Sequence, residues 1–268
     1  GEPNSIFLEI FFKSLKTNKF NRPLIIIVSK KLLQEQMAKL GFFFKINSIH
    51  KNFNKFKELD NKKINLINVN FEFKKCFEEI STKSNVYIKE SFKIALEILR
   101  KNKFSKFING PISKKYFLKG KSLGVTEYLA KKTKNNNKVV MLIFNKKLSV
   151  SPITTHLALK NVHKYISKQR IYTHVKLITE FYKKRFNKTP KIAITGLNPH
   201  CESNYKSSEE DKIIKPAIKY LISKKYKVKG PFAADTIFMS EQSKNYDVIV
   251  GMYHDQVLTP AKTLFGFN

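Results

Sequence analysis

Apolar residues along the chain fall into two alternating patterns. Short, largely apolar runs at Leu24–Val28, Ile64–Val69, Lys138–Phe144, Ile192–Thr195 and Tyr246–Gly251 are strand-length and rich in Ile and Val. Continuous runs of this kind suit strands buried on both faces, as in a parallel sheet. Phe107-Ile108 reads as a further short strand, ending in the turn Asn109-Gly110-Pro111. Between the runs, apolar residues recur at helical spacing. Val86–Lys101 carries Ile88, Phe92, Ala95 and Leu99, Thr126–Lys132 is a short helix, and Asn161–Phe186 is a long amphipathic helix interrupted once. Ser207-Ser208-Glu209-Glu210 has the form of a capping box with Ser207 as N-cap, opening a helix to about Lys224 that bends near Pro216. Strand and helix in repeated alternation predict an α/β fold with a largely parallel sheet. The polar stretch Asn135–Asn137 is the nearest thing to an interior boundary.

Composition changes this picture little. At 268 residues, one or two domains are expected, and 42% hydrophobic residues exclude a disordered polycation. No apolar run approaches the roughly 18 residues of a membrane span, so no membrane partner is expected. Cys76 and Cys201 are too few for a disulfide scaffold and fit a reducing cytoplasm. The formal net charge is +32, yet only Arg22, Arg100, Arg170 and Arg185 among the 52 basic residues are arginines. Arginine is the side chain suited to bidentate phosphate and base contacts, and the lysines are spread along the whole chain. With abundant Asn, Ile and Phe and no Trp, the excess reads as compositional drift toward AT-rich codons. Attraction of small anionic substrates and a basic, non-catalytic polyanion-binding module are the lesser readings, and no nucleic-acid partner is expected.

Of six histidines, three follow predicted strands: His156 after Ser151-Pro152-Ile153-Thr154-Thr155, just past a strand that ends near Val150, His200 after Asn198-Pro199, and His254 after the last strand. In open α/β sheets ligands gather beyond the carboxyl ends of strands. Three imidazoles delivered there suit a divalent metal with one position left for substrate. The spacings of 44 and 54 residues form no local metal signature, and satisfied structural histidines are the plainer reading of the same pattern. His163 and His174 read as surface residues of the long helix. Asp255 and Gln256 would bind a ligand or orient His254, Lys262 would meet an anion, and Asp235-Thr236 reads as a turn. Cys201 reads as an inert thiol. No GxGxxG, Walker A, GxSxG or CxxC motif occurs, which argues against a Rossmann dehydrogenase.

Several segments together resemble one family, the 4-hydroxythreonine-4-phosphate dehydrogenases of vitamin B6 (pyridoxine) biosynthesis. They are Asn109-Gly110-Pro111-Ile112-Ser113-Lys114, Thr154-Thr155-His156-Leu157, Gly196-Leu197-Asn198-Pro199-His200, Gly230-Pro231 with Ala234-Asp235-Thr236, and Met252-Tyr253-His254-Asp255-Gln256. Weaker matches are Gly124-Val125-Thr126-Glu127 and the opening Gly1-Glu2-Pro3 with Glu9. The resemblance implies an isocitrate/isopropylmalate-dehydrogenase-like α/β/α fold with two domains around a cleft. Residues 1–112 with 253–268 would form the first domain. Residues 113–252 would form the second, with much of the metal site and the dimer interface. It further implies a cytoplasmic homodimer in which His156, His200 and His254 bind one divalent metal (zinc, magnesium or cobalt), with ligands drawn from both subunits. Thr126 and Lys262 would contact the phosphorylated substrate. The implied reaction is NAD- or NADP-dependent oxidation of 4-phosphohydroxy-L-threonine, followed by decarboxylation to 3-amino-2-oxopropyl phosphate.

The chain departs from the family pattern in places. Val125 stands where the family has His before Thr, which removes one substrate contact and favours as alternative a relative acting on erythronate or threonate 4-phosphate. Cys201-Glu202-Ser203-Asn204-Tyr205 replaces a glycine-rich turn, and Asn4-Ser5-Ile6-Phe7-Leu8 replaces a Gly-containing stretch. The family has a strand ahead of Gly1 and, beyond Asn268, a segment with further substrate and nicotinamide contacts. The chain is therefore expected to be cut short at both ends, and by itself inactive.

Overall fold

The structure, a computed structural model, describes residues 1–18, 20–52, 58–102, 106–119, 124–135, 138–201 and 207–266. Two compact units emerge, Gly1–Val125 and Thr126–Asn268. The division falls at Val125/Thr126 rather than at 112/113.

In the first unit, β1 (Ile25–Val28), β2 (Ile46–Ser48) and β3 (Ile64–Asn68) form a three-stranded parallel sheet in the order β1-β3-β2. Central β3 is buried at Ile64, Leu66 and Ile67, with Asn65 buried among them. Helices α1 (Phe7–Thr17), α2 (Lys30–Lys39) and α3 (Asn85–Asn102) accompany the sheet. α2 starts where the Ser29 hydroxyl accepts from the Leu32 amide and the Asn68 side chain accepts from the Lys30 amide. α3 buries Ile88, Phe92 and Ala95 of the predicted stripe together with Ile94 and Ile98, while Leu99 is half-buried. Phe107-Ile108 forms no strand; Ile108 is exposed, so burial never pays for ordering a ladder there.

The second unit begins with α4 (Val125–Lys132) and contains β4 (Ser149–Thr154), β5 (Ile192–Thr195), β6 (Val228–Phe232) and β7 (Val248–Tyr253). These strands are all parallel, in the order β4-β7-β5-β6. Alternate residues face opposite layers. Ile192, Ile194, Val248 and Val250 pack with α5 (Lys168–Phe186) and α6 (Lys215–Ser223), while Ala193 and Ile249 pack with α8 (His254–Phe265). The short helix α7 (Ser240–Ser243) precedes β7. Each fully buried Ile or Val contributes about 1.5–3 kcal/mol, so this three-layer core is the main support of the sheet. α8 packs on β4 and β7. The 253–268 segment, which the sequence reading grouped with the first domain, thus lies in this unit.

Several elements differ from expectation for identifiable reasons. Residues 138–144 make one antiparallel bridge, Ile143 to Val150, instead of a strand. The segment is extended, with Val140 and Leu142 on one core cluster and Met141 and Ile143 on the other, but it lacks a ladder. β4 runs on to Thr154 despite Pro152. Val150 exchanges both backbone bonds with Ile143, so the N–H that Pro152 lacks, two residues on, would have faced the same outer side. Pro152 therefore costs the pairing with β7 nothing. The long helix is broken at Ile166–Ser167: a 3-10 turn at Leu159–Tyr165 precedes α5, which Ser167 caps by accepting from the Arg170 amide. The next helix opens with a π turn, Glu210–Ile214, and passes into α6 at Pro216. Ser208 rather than Ser207 caps it, accepting from the Asp211 amide.

His174 is not on the surface. It is buried on α5, 5% exposed. The Ser151 hydroxyl donates to the Met141 carbonyl (2.5 Å), which leaves its oxygen to accept from His174 Nε2 (2.7 Å). Burial, with the Arg170 charge adding to it, pushes the imidazole down to about 3. Between the ordinary value of 6.5 and that figure the unfolded chain binds a proton that the native state does not. Stability is therefore lost as pH falls through this window, by up to about 1.4 kcal/mol per pH unit. His174→Gln, which keeps a donor and cannot titrate, is expected to flatten the fall of the urea midpoint between about pH 6 and 4. Equal slopes for variant and native chain would exclude a neutral buried ring.

Candidate active site

The parallel sheet of the second unit sets its carboxyl ends along one edge, and the strand order decides which loops meet there. β7 lies between β4 and β5. Thr154 pairs with Tyr253, and the Thr154 hydroxyl donates to the Met252 carbonyl (2.7 Å). The chains leaving β4 and β7 therefore depart side by side, and the rings of His156 and His254 come to a centroid separation of 5.8 Å. Their sequence separation hides this neighbourhood completely.

His254 opens α8 and is half-buried, while His156 is exposed. Nδ1 of His254 lies 2.8 Å from Asp255 Oδ1. A carboxylate on Nδ1 fixes the ring and leaves Nε2 as the ligating nitrogen. Asp255 in the first helical turn also complements the positive end of the α8 dipole.

Gln256 has a different task from its neighbour. It is buried, and its Oε1 accepts from the Met252 amide (2.6 Å) and the Thr195 hydroxyl (2.9 Å), while Nε2 donates to the Gly196 carbonyl (2.9 Å). One amide thus clamps the ends of β7 and β5 together.

The Gly196–His200 loop beyond β5 is held from below by Glu210, only 1% exposed. Its carboxylate accepts from the backbone amides of Leu197 (2.7 Å) and Asn198 (2.9 Å) and from the Asn198 side chain (2.8 Å). Burial works against this charge, but the Asn198 and Leu197 hydrogen bonds outweigh it and hold the carboxyl below its ordinary value. Gly196 permits the arrangement: a Cβ there would sit 2.6 Å from Cys201 Sγ and 3.0 Å from Glu210 Oε1. Gly230 is required for a similar reason: its φ is +142°, and a Cβ there would collide with the Ile194 carbonyl oxygen.

His200 is exposed, has φ 57°, and its Nδ1 is 3.8 Å from Asp235 Oδ2. Among the described residues no group of three or more His, Cys, Asp or Glu side chains is placed to hold a metal within one chain. The structure thus brings His156 and His254 together and sets His200 with Asp235. As a donor set the first pair fits a divalent cation: adjacent imidazoles, one with its Nδ1 already engaged. Thr126 is exposed in the first turn of α4. Lys262 is exposed on α8, two turns or about 12 Å along the axis from His254.

The chain as a whole is similar to known proteins. The family described as "Pyridoxal phosphate biosynthetic protein PdxA" matches residues 19–268. The chain belongs to the PdxA family. A 4-hydroxythreonine-4-phosphate dehydrogenase from Sulfurihydrogenibium sp. is 36% identical, covering 98% of this chain and 81% of the relative. A D-threonate 4-phosphate dehydrogenase from Pectobacterium atrosepticum is 36% identical over 54% of this chain and 44% of its own length. The crystal structure of 4-hydroxythreonine-4-phosphate dehydrogenase from Klebsiella pneumoniae superposes with a TM-score of 0.81 at 26% identity, covering 99% of this chain and 83% of that one. This establishes the α/β dehydrogenase fold.

Within this PdxA-family chain, sequence reasoning missed Glu210, which it spent on a capping box, and left Asp235 in a turn although it faces His200. Only the buried, long-range placement of Glu210 reveals its part. Cys201, where the resemblance implies glycine, has φ 57°, so the backbone keeps the conformation that glycine favours; Glu202 to Tyr205 lie outside the described residues, as do Asn136 and Asn137. Burial pushes the Cys201 thiol up, which suits an inert side chain. Replacing Gln256 by Leu, of similar volume, strands the Met252 amide, the Thr195 hydroxyl and the Gly196 carbonyl. The unfolding free energy from a urea titration is expected to fall by about 2–4 kcal/mol; a change below about 1 kcal/mol would mean that the clamp carries no load.

Proposed function

We propose that the full-length protein to which this chain belongs carries out the NAD- or NADP-dependent oxidation of 4-phosphohydroxy-L-threonine, with decarboxylation to 3-amino-2-oxopropyl phosphate, in cytoplasmic pyridoxal phosphate biosynthesis. The observation that carries the reading is the adjacent His156–His254 pair at the carboxyl edge of a parallel sheet, in a chain of the PdxA family. His156 and His254, with His200 from the same or a partner subunit of a homodimer, would hold the divalent metal. Imidazole donors favour zinc or cobalt over magnesium.

When bound, the cation would lower the pKa of the substrate hydroxyl and the nicotinamide would accept the hydride. The chain's own residues do the rest by placement. Asp255 keeps the His254 ring oriented, and Gln256 holds the two strand ends that carry the loops. Thr126, in the first turn of α4, offers a hydroxyl and a helix N-terminus to the phosphate, and Lys262 supplies a positive charge for a substrate anion.

A second reading, oxidation of threonate or erythronate 4-phosphate, is favoured by Val125 and by the similarity to the Pectobacterium D-threonate enzyme. The two substrates differ at C2, ammonium against hydroxyl. Reduced-cofactor formation with each compound, with and without chelator, separates the readings. The expected result is turnover of the amino acid that chelator abolishes. Asp255→Asn is expected to lower activity about 10–100-fold, and His254→Ala to lower it further. Turnover of the threonate compound alone would establish the second reading, and chelator-resistant turnover would remove the metal from the first.

A further inference from the structure

His156 does not hang from β4 unsupported. Thr154 anchors the strand end to β7. The Leu157 amide donates to the Thr155 carbonyl, wrapping a tight turn around His156. The Thr155 hydroxyl, in turn, donates to Glu127 Oε1 at 2.9 Å. Glu127 lies in the first turn of α4, 28 residues earlier in the chain. Among the described residues its second oxygen, Oε2, is buried without a hydrogen-bond partner, and the Arg170 guanidinium acts on the carboxylate by charge alone.

For folding alone this is a poor arrangement. In a half-buried carboxylate, an oxygen shut off from water and left without a hydrogen bond costs stability, and an apolar side chain of similar volume is often neutral or better. The bond that Oε1 does make is directed at the residue immediately before His156. We infer that Glu127 is a positioning residue, which sets the approach of His156 through the Thr155 hydroxyl and gives up some stability to do so.

Four single variants of the full chain test this. Thr155→Val and Glu127→Met break the bond, whereas Thr155→Ser and Glu127→Gln keep a donor and an acceptor in place. Three measurements are made: affinity for Co2+ alone, the imidazole NMR resonances of the metal-free protein, and the thermal midpoint. The affinity arm rests on His156 being a metal ligand, as proposed above; the NMR arm does not. The bond-breaking variants are expected to lose about tenfold in Co2+ affinity and to shift or broaden the His156 ring resonances while those of buried His174 stay. The conservative variants are expected to stay within about twofold of the parent. Glu127→Met is expected to melt no lower than the parent, which a purely structural role would not allow. Parental affinity and unchanged His156 resonances in Thr155→Val would overturn the inference, as would equal losses in all four variants. A parent chain that binds no Co2+ would count against the metal reading, and the His156 resonances would then decide the positioning role alone.

Discussion

The functional edge of the second unit depends on a single side-chain amide. Parallel strands hold each other along their length through the ladder, but nothing in the ladder fixes the loops that leave their ends. Gln256 does so with three hydrogen bonds to groups on and beyond two neighbouring strands. The glycines around it belong to the same constraint. A Cβ on Gly251 would crowd Gln256 Oε1 at 3.0 Å, and one on Gly196 would meet Cys201 and Glu210. The residues of GLNPH and MYHDQ therefore divide between chemistry and support. The imidazoles face outward, and most of what surrounds them keeps two backbones at a set spacing.

The few carboxylates are used selectively in a chain so rich in lysine. Glu210, Glu127, Asp255 and Asp235 each hold or face part of the edge. By contrast, pairs such as Lys13–Glu9 and Lys215–Asp211 join helix neighbours at the surface, where an ion pair contributes little. The +32 net charge acts at longer range. A field of this size would draw phosphorylated small molecules toward the surface as a whole, an effect that weakens with salt.

Much of the architecture was legible because burial leaves a direct mark on composition. The runs that became β1, β3, β5 and β7 are dominated by Ile, Val and Leu, since a parallel strand has no wet face, and α3 and α4 kept their expected positions to within a residue or two. β2 and β6 escaped notice: β2 is a short edge strand of mixed polarity, and β6 contains Gly230-Pro231. Residues 138–144 show the opposite failure, since apolar content records burial and not hydrogen bonding. At the site, each histidine's place after a strand was readable, but the meeting of His156 with His254 was not. That contact is a product of strand order, β7 inserting between β4 and β5, which no local pattern encodes. The family resemblance supplied what local patterns could not: it named the imidazoles, included Glu127 in a weaker match without giving it a role, and did not name Glu210.

Pro152 carries a consequence beyond its own strand. β4 ends the sheet order, and on its outer side one bridge to Ile143 is followed by a residue with no N–H to offer. An incoming strand would find its ladder interrupted two residues after it began. A chain with so many Ile, Val and Phe residues has reason to avoid edge-to-edge association, and here a ring closure in the backbone sets the sheet's outer limit without adding a single charge.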